Sequence, residues 1–220
     1  MARRGKPVQP KAARGRRRAG AKTVAGAGAK VRAPRAQPFE EALAAVVELI
    51  GALDRPAAVI GGIAVVAHGF ARATADIDLA VVAEPDESAE LFRVARAAGF
   101  EARIADAVSF AETNLVLLLV HAPTGVPVDL SIAMQPFERE AAERRVIRKL
   151  GAVSVPVTPL DALVVYKMVA GRSKDLDDVR ALLSTGAALD LKAVEQLLSE
   201  FDALLGTDRV AELRKLTRRG

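Results

Sequence analysis

The chain has 220 residues, enough for one well-buried domain with a small appendage, and 32 Lys and Arg against 27 Asp and Glu give a formal net charge of +5. Cysteine is absent and only His68 and His121 supply imidazole, which excludes a disulfide framework, a thiolate zinc site, a Cys nucleophile and a His-rich metal site. The longest strongly apolar run, Leu115–Val120, falls far short of the ~20 residues that span a bilayer, and the basic start lacks the apolar stretch of a secretory signal, so a cytoplasmic protein with no membrane partner is expected.

Charge is spread unevenly. Residues 1–38 hold twelve Lys or Arg and no acid, which leaves 20 basic against 27 acidic residues, a net of −7, for 39–220. Residues 1–37 are Ala, Gly, Pro, Arg and Lys with almost no large apolar side chain, so a disordered basic tail is expected there. Such a tail is either a solubilising extension or an arm that holds a polyanion, nucleic acid first, through counterion release.

Order is expected from Pro38. Phe39, Leu43, Val46, Val47 and Ile50 recur at helical spacing over 39–53. Arg55-Pro56 ends that helix, and Ala57–Ile60 reads as a buried strand. Gly61-Gly62 opens a short helix, Ile63–His68, closed by Gly69. Asp76–Val82 alternates and then runs apolar, as a strand does, and 86–98 forms a helix with Leu91, Val94 and Ala95 inward. Glu101–Ile104, Leu115–Val120 and Val126–Ile132 are strands, the last two joined by a Pro-Thr-Gly turn. Residues 135–147 are expected to be helical and Ala152–Val157 extended, followed by helices over 159–170, 173–184, 190–203 and 206–217. The alternation predicts an α/β (α+β) architecture: a basic tail at 1–37, an α/β core at 38–158 and a helical region at 159–220 packed on it.

The chemistry concentrates in two stretches. Val59-Ile60-Gly61-Gly62-Ile63-Ala64 places two glycines between a strand and a helix, where backbone can approach a ligand and free amides face an anion. A pair of glycines is also what a plain tight turn uses. Asp76 and Asp78 lie two apart on the expected strand and share one face, with Ile77 and Leu79 on the other. Paired carboxylates repel unless a cation lies between them, and hard divalent ions prefer oxygen; the alternative is a solvent-facing pair of acids. A third acid, Asp129, interrupts another apolar strand, Val128-Asp129-Leu130, where an uncompensated carboxylate is costly. Together the three acids outline a two-metal phosphoryl-transfer site.

The run Gly61-Gly62, thirteen residues, Asp76-Ile77-Asp78, then Val128-Asp129-Leu130 resembles the polymerase-beta-type nucleotidyltransferase superfamily. With His68-Gly69-Phe70, Arg72-Ala-Thr74 and the later Tyr166-Lys167 and Gly171-Arg172-Ser-Lys174-Asp175, it is most similar to the AbiEii-type and minimal nucleotidyltransferase branch, over roughly Phe39 to Leu183. The resemblance implies a small mixed sheet with flanking helices. It implies that Asp76 and Asp78 ligate two Mg²⁺ ions, and that Asp129 joins one of them and activates the acceptor hydroxyl. Gly61 and Gly62 would hold the triphosphate, with Arg72, Thr74, Lys167, Lys174 and Asp175 as further nucleotide-binding residues. Many relatives carry Ser where Gly62 stands.

For these last positions the residues themselves admit plainer roles. Arg72 and Thr74 could fix a loop, Lys167 could snorkel along its helix, and Ser173 could cap a helix whose Arg172 and Asp178 form surface ion pairs. His68 reads as structural. The implied activity is transfer of a nucleoside monophosphate from an NTP to a hydroxyl of RNA, a tRNA end or a protein, with a cognate antitoxin as a further expected partner. The alternative is a non-catalytic nucleic-acid-binding module that keeps the fold.

Overall fold

A computed structural model of the chain describes residues 38–218. The basic segment 1–37, with the disorder and nucleic-acid holding expected of it, lies outside the described residues.

Helix α1 (Pro38–Leu53) begins on a proline, which needs no hydrogen-bond partner at a helix start, and carries Glu40 and Glu41 against the positive end of the helix. It buries Leu43, Val46, Leu49 and Ile50 against the sheet. Strand β1 (Ala57–Val59) leads into α2 (Gly61–Ala67), which begins two residues before the expected Ile63, so both glycines belong to its first turn. Strand β2 (Ile77–Val81) follows, then a short 3-10 turn at Pro85–Glu87 and α3 (Ser88–Ala97), which turns Leu91 and Ala95 inward and leaves Val94 half-buried.

Next come β3 (Phe100–Ala102), α4 (Ala107–Asn114), β4 (Val116–His121) and β5 (Pro127–Ile132). Helix α4 was not anticipated: its Val, Ser, Phe and Thr are weak helix formers, and only Ala107 and Ala111, one turn apart, reach the core. The helix expected over 135–147 is a correction. Helix α5 ends at Glu143 (Pro136–Glu143), and Val146–Leu150 is strand β6, paired antiparallel with β7 (Val153–Val157). The hairpin between them has two residues, with Gly151 at positive φ, a conformation glycine adopts without strain. Helices α6 (Leu160–Ala170), α7 (Ser173–Ser184), α8 (Leu191–Leu205) and α9 (Arg209–Thr217) complete the described chain.

The seven strands form one mixed sheet in the order β3-β4-β5-β2-β1-β7-β6. Pairs β2–β5 and β1–β7 are parallel and the others antiparallel. Register puts Ile77, Leu79, Val128, Leu130, Leu117, Leu119 and Val59 on one face, all completely buried, and each such side chain contributes about 1.5–3 kcal/mol. Asp78 and Asp129 stand on the opposite face. Helix α6 packs on α2, α7 and α8, and Phe137 of α5 meets both Tyr166 of α6 and Phe201 of α8, so an aromatic cluster ties the later helices to the sheet's own α5. The architecture is mixed α/β, and among the described residues no helix is long and apolar enough to cross a membrane.

Candidate active site

The site is built where β1 turns into α2. The Ile60 N–H donates to the Asp78 carbonyl at 2.9 Å, locking the turn to β2. Gly61 sits at φ +61°, and a Cβ there would overlap the Asp78 carboxylate. A Cβ on Gly62 would lie 2.8 Å from Thr74 Oγ1. Gly61 is therefore required by its backbone conformation and its close packing against the acid strand, whereas at Gly62 a Cβ would only press on the Thr74 hydroxyl of the leading loop.

Asp78 and Asp129 are direct partners in the parallel register of β2 and β5, so their side chains stand together on one face. Asp76 is exposed and immediately precedes β2, where Thr74 Oγ1 donates to its carboxylate at 3.0 Å and to its carbonyl at 3.1 Å. Burial pushes the Asp78 pKa up, and the charges of Asp76 and then Asp129 push it further, against Lys167 and the Gly62 N–H, which donates to it. Burial also raises Asp129, opposed by Arg103 and reinforced by Asp76. The three carboxylates thus repel one another in a partly desolvated place.

Cations reach the same place from α6, from the start of α7 and from the loop that leads into β2. Lys167 is buried, its Nζ 3.1 Å from Asp175 Oδ1 and 2.8 Å from Asp178 Oδ2. Arg72 Nη1 lies 2.6 Å from Asp178 Oδ2, and Arg172 grips Asp175 through Nε at 2.5 Å and Nη2 at 3.2 Å. Burial alone would raise Asp175, which is completely enclosed, but its hydrogen bonds from Arg172 and Lys167 outweigh that and hold its carboxyl below the usual range. Lys174 is exposed and pairs with no acid among the described residues. Lys167 therefore does not snorkel to water; its charge is spent inside an ion-pair network that also fixes two arginines.

Asp76, Asp78, Asp129, Gly61, Gly62, Arg72, Thr74, Lys167, Lys174 and Asp175 all line one cavity of about 310 Å³. Tyr166 and Arg172 line it too; burial and the Glu138 charge keep the Tyr166 hydroxyl protonated well above its ordinary range. His68 lies outside it, its Nε2–H donating to the Thr158 carbonyl at 2.9 Å, and burial lowers its pKa. Sequence reasoning missed Arg103, which forms an ion pair with Asp129, because nothing in its surroundings marks it as different from any other surface arginine. For Asp178 the sequence left a surface ion pair open as an alternative; the i, i+3 spacing from Asp175 instead puts both on one face of α7, where Asp178 is buried.

The donor set suits a hard divalent cation. It consists of carboxylate oxygens alone, and neither Asp76 nor Asp78 has an ion-pair partner among the described residues. No three acidic or imidazole side chains form a ready-made metal cage among the described residues.

Residues 46–219 match the family described as "Nucleotidyl transferase AbiEii toxin, Type IV TA system". No curated protein matches the chain. Among solved structures it is similar to the antibiotic-resistance factor ANT(2'')-Ia in solution, with 17% identity, 82% of this chain and 99% of that one covered, and a TM-score of 0.49. An antigenic nucleotidyltransferase-like protein from Paracoccidioides brasiliensis is 15% identical over 67% of this chain and 76% of that one, with a TM-score of 0.48. JHP933 from Helicobacter pylori is 12% identical over 81% and 87%, with a TM-score of 0.44.

Proposed function

The chain belongs to the AbiEii nucleotidyltransferase family, and from that premise we propose that it transfers a nucleoside monophosphate from an NTP to an acceptor hydroxyl, releasing pyrophosphate. The observation that carries this reading is the single cavity onto which the β1–α2 turn, β2, β5, α6 and α7 all converge, with three carboxylates on one wall and cations on another.

In this reading Asp76, Asp78 and Asp129 hold divalent cations, two Mg²⁺ ions by family resemblance, which when bound would neutralise charge on the triphosphate and make the acceptor hydroxyl more acidic. The backbone at Gly61 and Gly62 lets the triphosphate lie close to the acids. Arg72, Lys174 and Arg172 offset its charge, and the buried network of Lys167, Asp175 and Asp178 holds Arg72 and Arg172 in place before substrate arrives. Asp129 takes the acceptor proton as the acceptor oxygen bonds to the α-phosphorus and the bond from that phosphorus to pyrophosphate breaks.

The acceptor is proposed to be RNA, a tRNA end foremost, because twelve cations in the first 38 residues offset a remainder that is net acidic. The family's description as a type IV toxin supports pairing with a cognate antitoxin, which would place the enzyme in the cytoplasm. The test is incubation with Mg²⁺, each of the four labelled NTPs in turn, and separate tRNA and protein pools. Label is expected in the tRNA fraction with one preferred NTP and none with Asp76→Ala. Equal labelling by that variant overturns the enzymatic reading, and label confined to protein overturns the RNA acceptor.

A further inference from the structure

We propose that Arg103 is a positioning residue that occupies Asp129 until a divalent cation displaces it, so that metal loading at this carboxylate must break an internal ion pair. The inference rests on the reading of Asp129 as a metal ligand.

Four cations line the cavity, and three of them, Arg72, Lys167 and Arg172, are already paired with Asp175 or Asp178. Among the described residues, Arg103 is the one cation that forms an ion pair with any of Asp76, Asp78 and Asp129. It comes from the other flank of the sheet. The Arg103 N–H donates to the Leu118 carbonyl at 2.9 Å, extending the β3–β4 pairing by one residue, and Leu118 is the register partner of Asp129. Arg103 is thereby anchored one strand beyond β4, with its side chain reaching back over that strand to Asp129, and it does not line the cavity that Asp129 lines.

This geometry suits exchange more than permanent structure. The two side chains are 34% and 32% exposed, so the guanidinium can withdraw into water at little cost, unlike Lys167 in its buried network. A divalent ion held by the Asp129 carboxylate would stand close to the guanidinium, and like charges brought together repel. The pair therefore neutralises Asp129 in the metal-free protein, lessening repulsion among the three acids, and is given up when a cation with higher charge arrives.

Manganese serves as the probe, with the free ion measured by electron paramagnetic resonance against the full chain. Arg103→Gln is expected to bind Mn²⁺ about two- to tenfold more tightly than the wild type, the range that a partly exposed ion pair supplies. Arg103→Lys, which keeps the charge, is expected to stay near the wild-type Kd. In an Asp129→Asn background the gain from Arg103→Gln should vanish. Equal Kd values for wild type and Arg103→Gln overturn the proposal and leave the functional reading standing. The same gain persisting with Asp129→Asn also overturns it, since that would reflect only the general field of a removed charge. If neither wild type nor Arg103→Gln binds Mn²⁺, both this inference and the metal-dependent reading fall.

Discussion

Asp78 and Asp129 lie fifty-one positions apart in the chain and directly beside each other in the sheet, as register partners on the parallel strands β2 and β5. The crossover between them carries α3, β3, α4 and β4. Its length is what lets two parallel strands meet, because a hairpin can join only antiparallel ones. The topology thus forces two carboxylates together that local chemistry would keep apart.

That forced proximity has a consequence for stability. Asp78 has a raised pKa, from burial first and then from Asp76 and Asp129, so its charged form favours the unfolded chain. The destabilisation is absent while the carboxyl is protonated in both states, grows as pH rises from the ordinary value of 3.8 through the native one, and is complete above it. Asp78→Asn is therefore expected to raise the Tm of the metal-free protein by a few degrees, on the order of 1 kcal/mol, while abolishing nucleotidyl transfer. Thermal unfolding with and without Mg²⁺ checks this: the ion should stabilise the wild type and leave the variant unchanged.

Gly61→Ala is expected to damage the site more than Gly62→Ala. At Gly61 the new methyl meets the Asp78 carboxylate and the backbone is held at φ +61°, which costs an L-residue roughly 1–2 kcal/mol before any collision is counted. At Gly62 the helix conformation suits alanine, and the 2.8 Å approach is to a threonine hydroxyl on a loop that can give. Parallel measurement of Tm and transfer rate for the two variants should rank them in that order. A Gly61→Ala protein with wild-type stability and rate would show that the turn tolerates a Cβ.

Much of this site is legible in the amino-acid order because its parts are short and local. The interval from Gly61-Gly62 to Asp76-Ile77-Asp78, and an aspartate breaking the run Val128-Asp129-Leu130, are patterns that a plain globular core has little use for. The mixed α/β architecture follows in the same way from alternating periodicities. What was hidden depends on pairing across distance. Strand β6 looks helical until β7 folds back on it through Gly151, and α4 exists because Ala107 and Ala111 find a place in the core. Arg103 belongs to the same class, since its partner lies two strands away and 26 positions along the chain.

The Lys167 network should behave as a structural unit separable from the acids. Lys167→Met removes the cation between Asp175 and Asp178 and leaves those two buried carboxylates with Arg172 and Arg72 alone. The expected cost is about 3 kcal/mol, the lower part of the range for breaking a buried pair, because the arginines remain. Chemical denaturation reads this directly.

The pH dependence of the same unit distinguishes it from the trio of acids. Burial works against the Asp175 charge, but Arg172 and Lys167 prevail and its native pKa is depressed. A depressed carboxyl contributes stability that is fully present above the ordinary value of 3.8 and is lost as pH falls through the lower native value. Wild-type stability should therefore decline as pH falls below the ordinary carboxylate value and Asp175 protonates, with Asp78 pulling the other way. Asp175→Asn should be less stable than wild type at pH 7 and nearly equal to it at the acid end, so that its stability curve is flatter across the acid limb. Guanidinium denaturation at a series of pH values gives both curves. Parallel acid limbs for the two proteins would mean that Asp175 is not held charged by its neighbours, and that the cations lining the cavity are free of the restraint assigned to them.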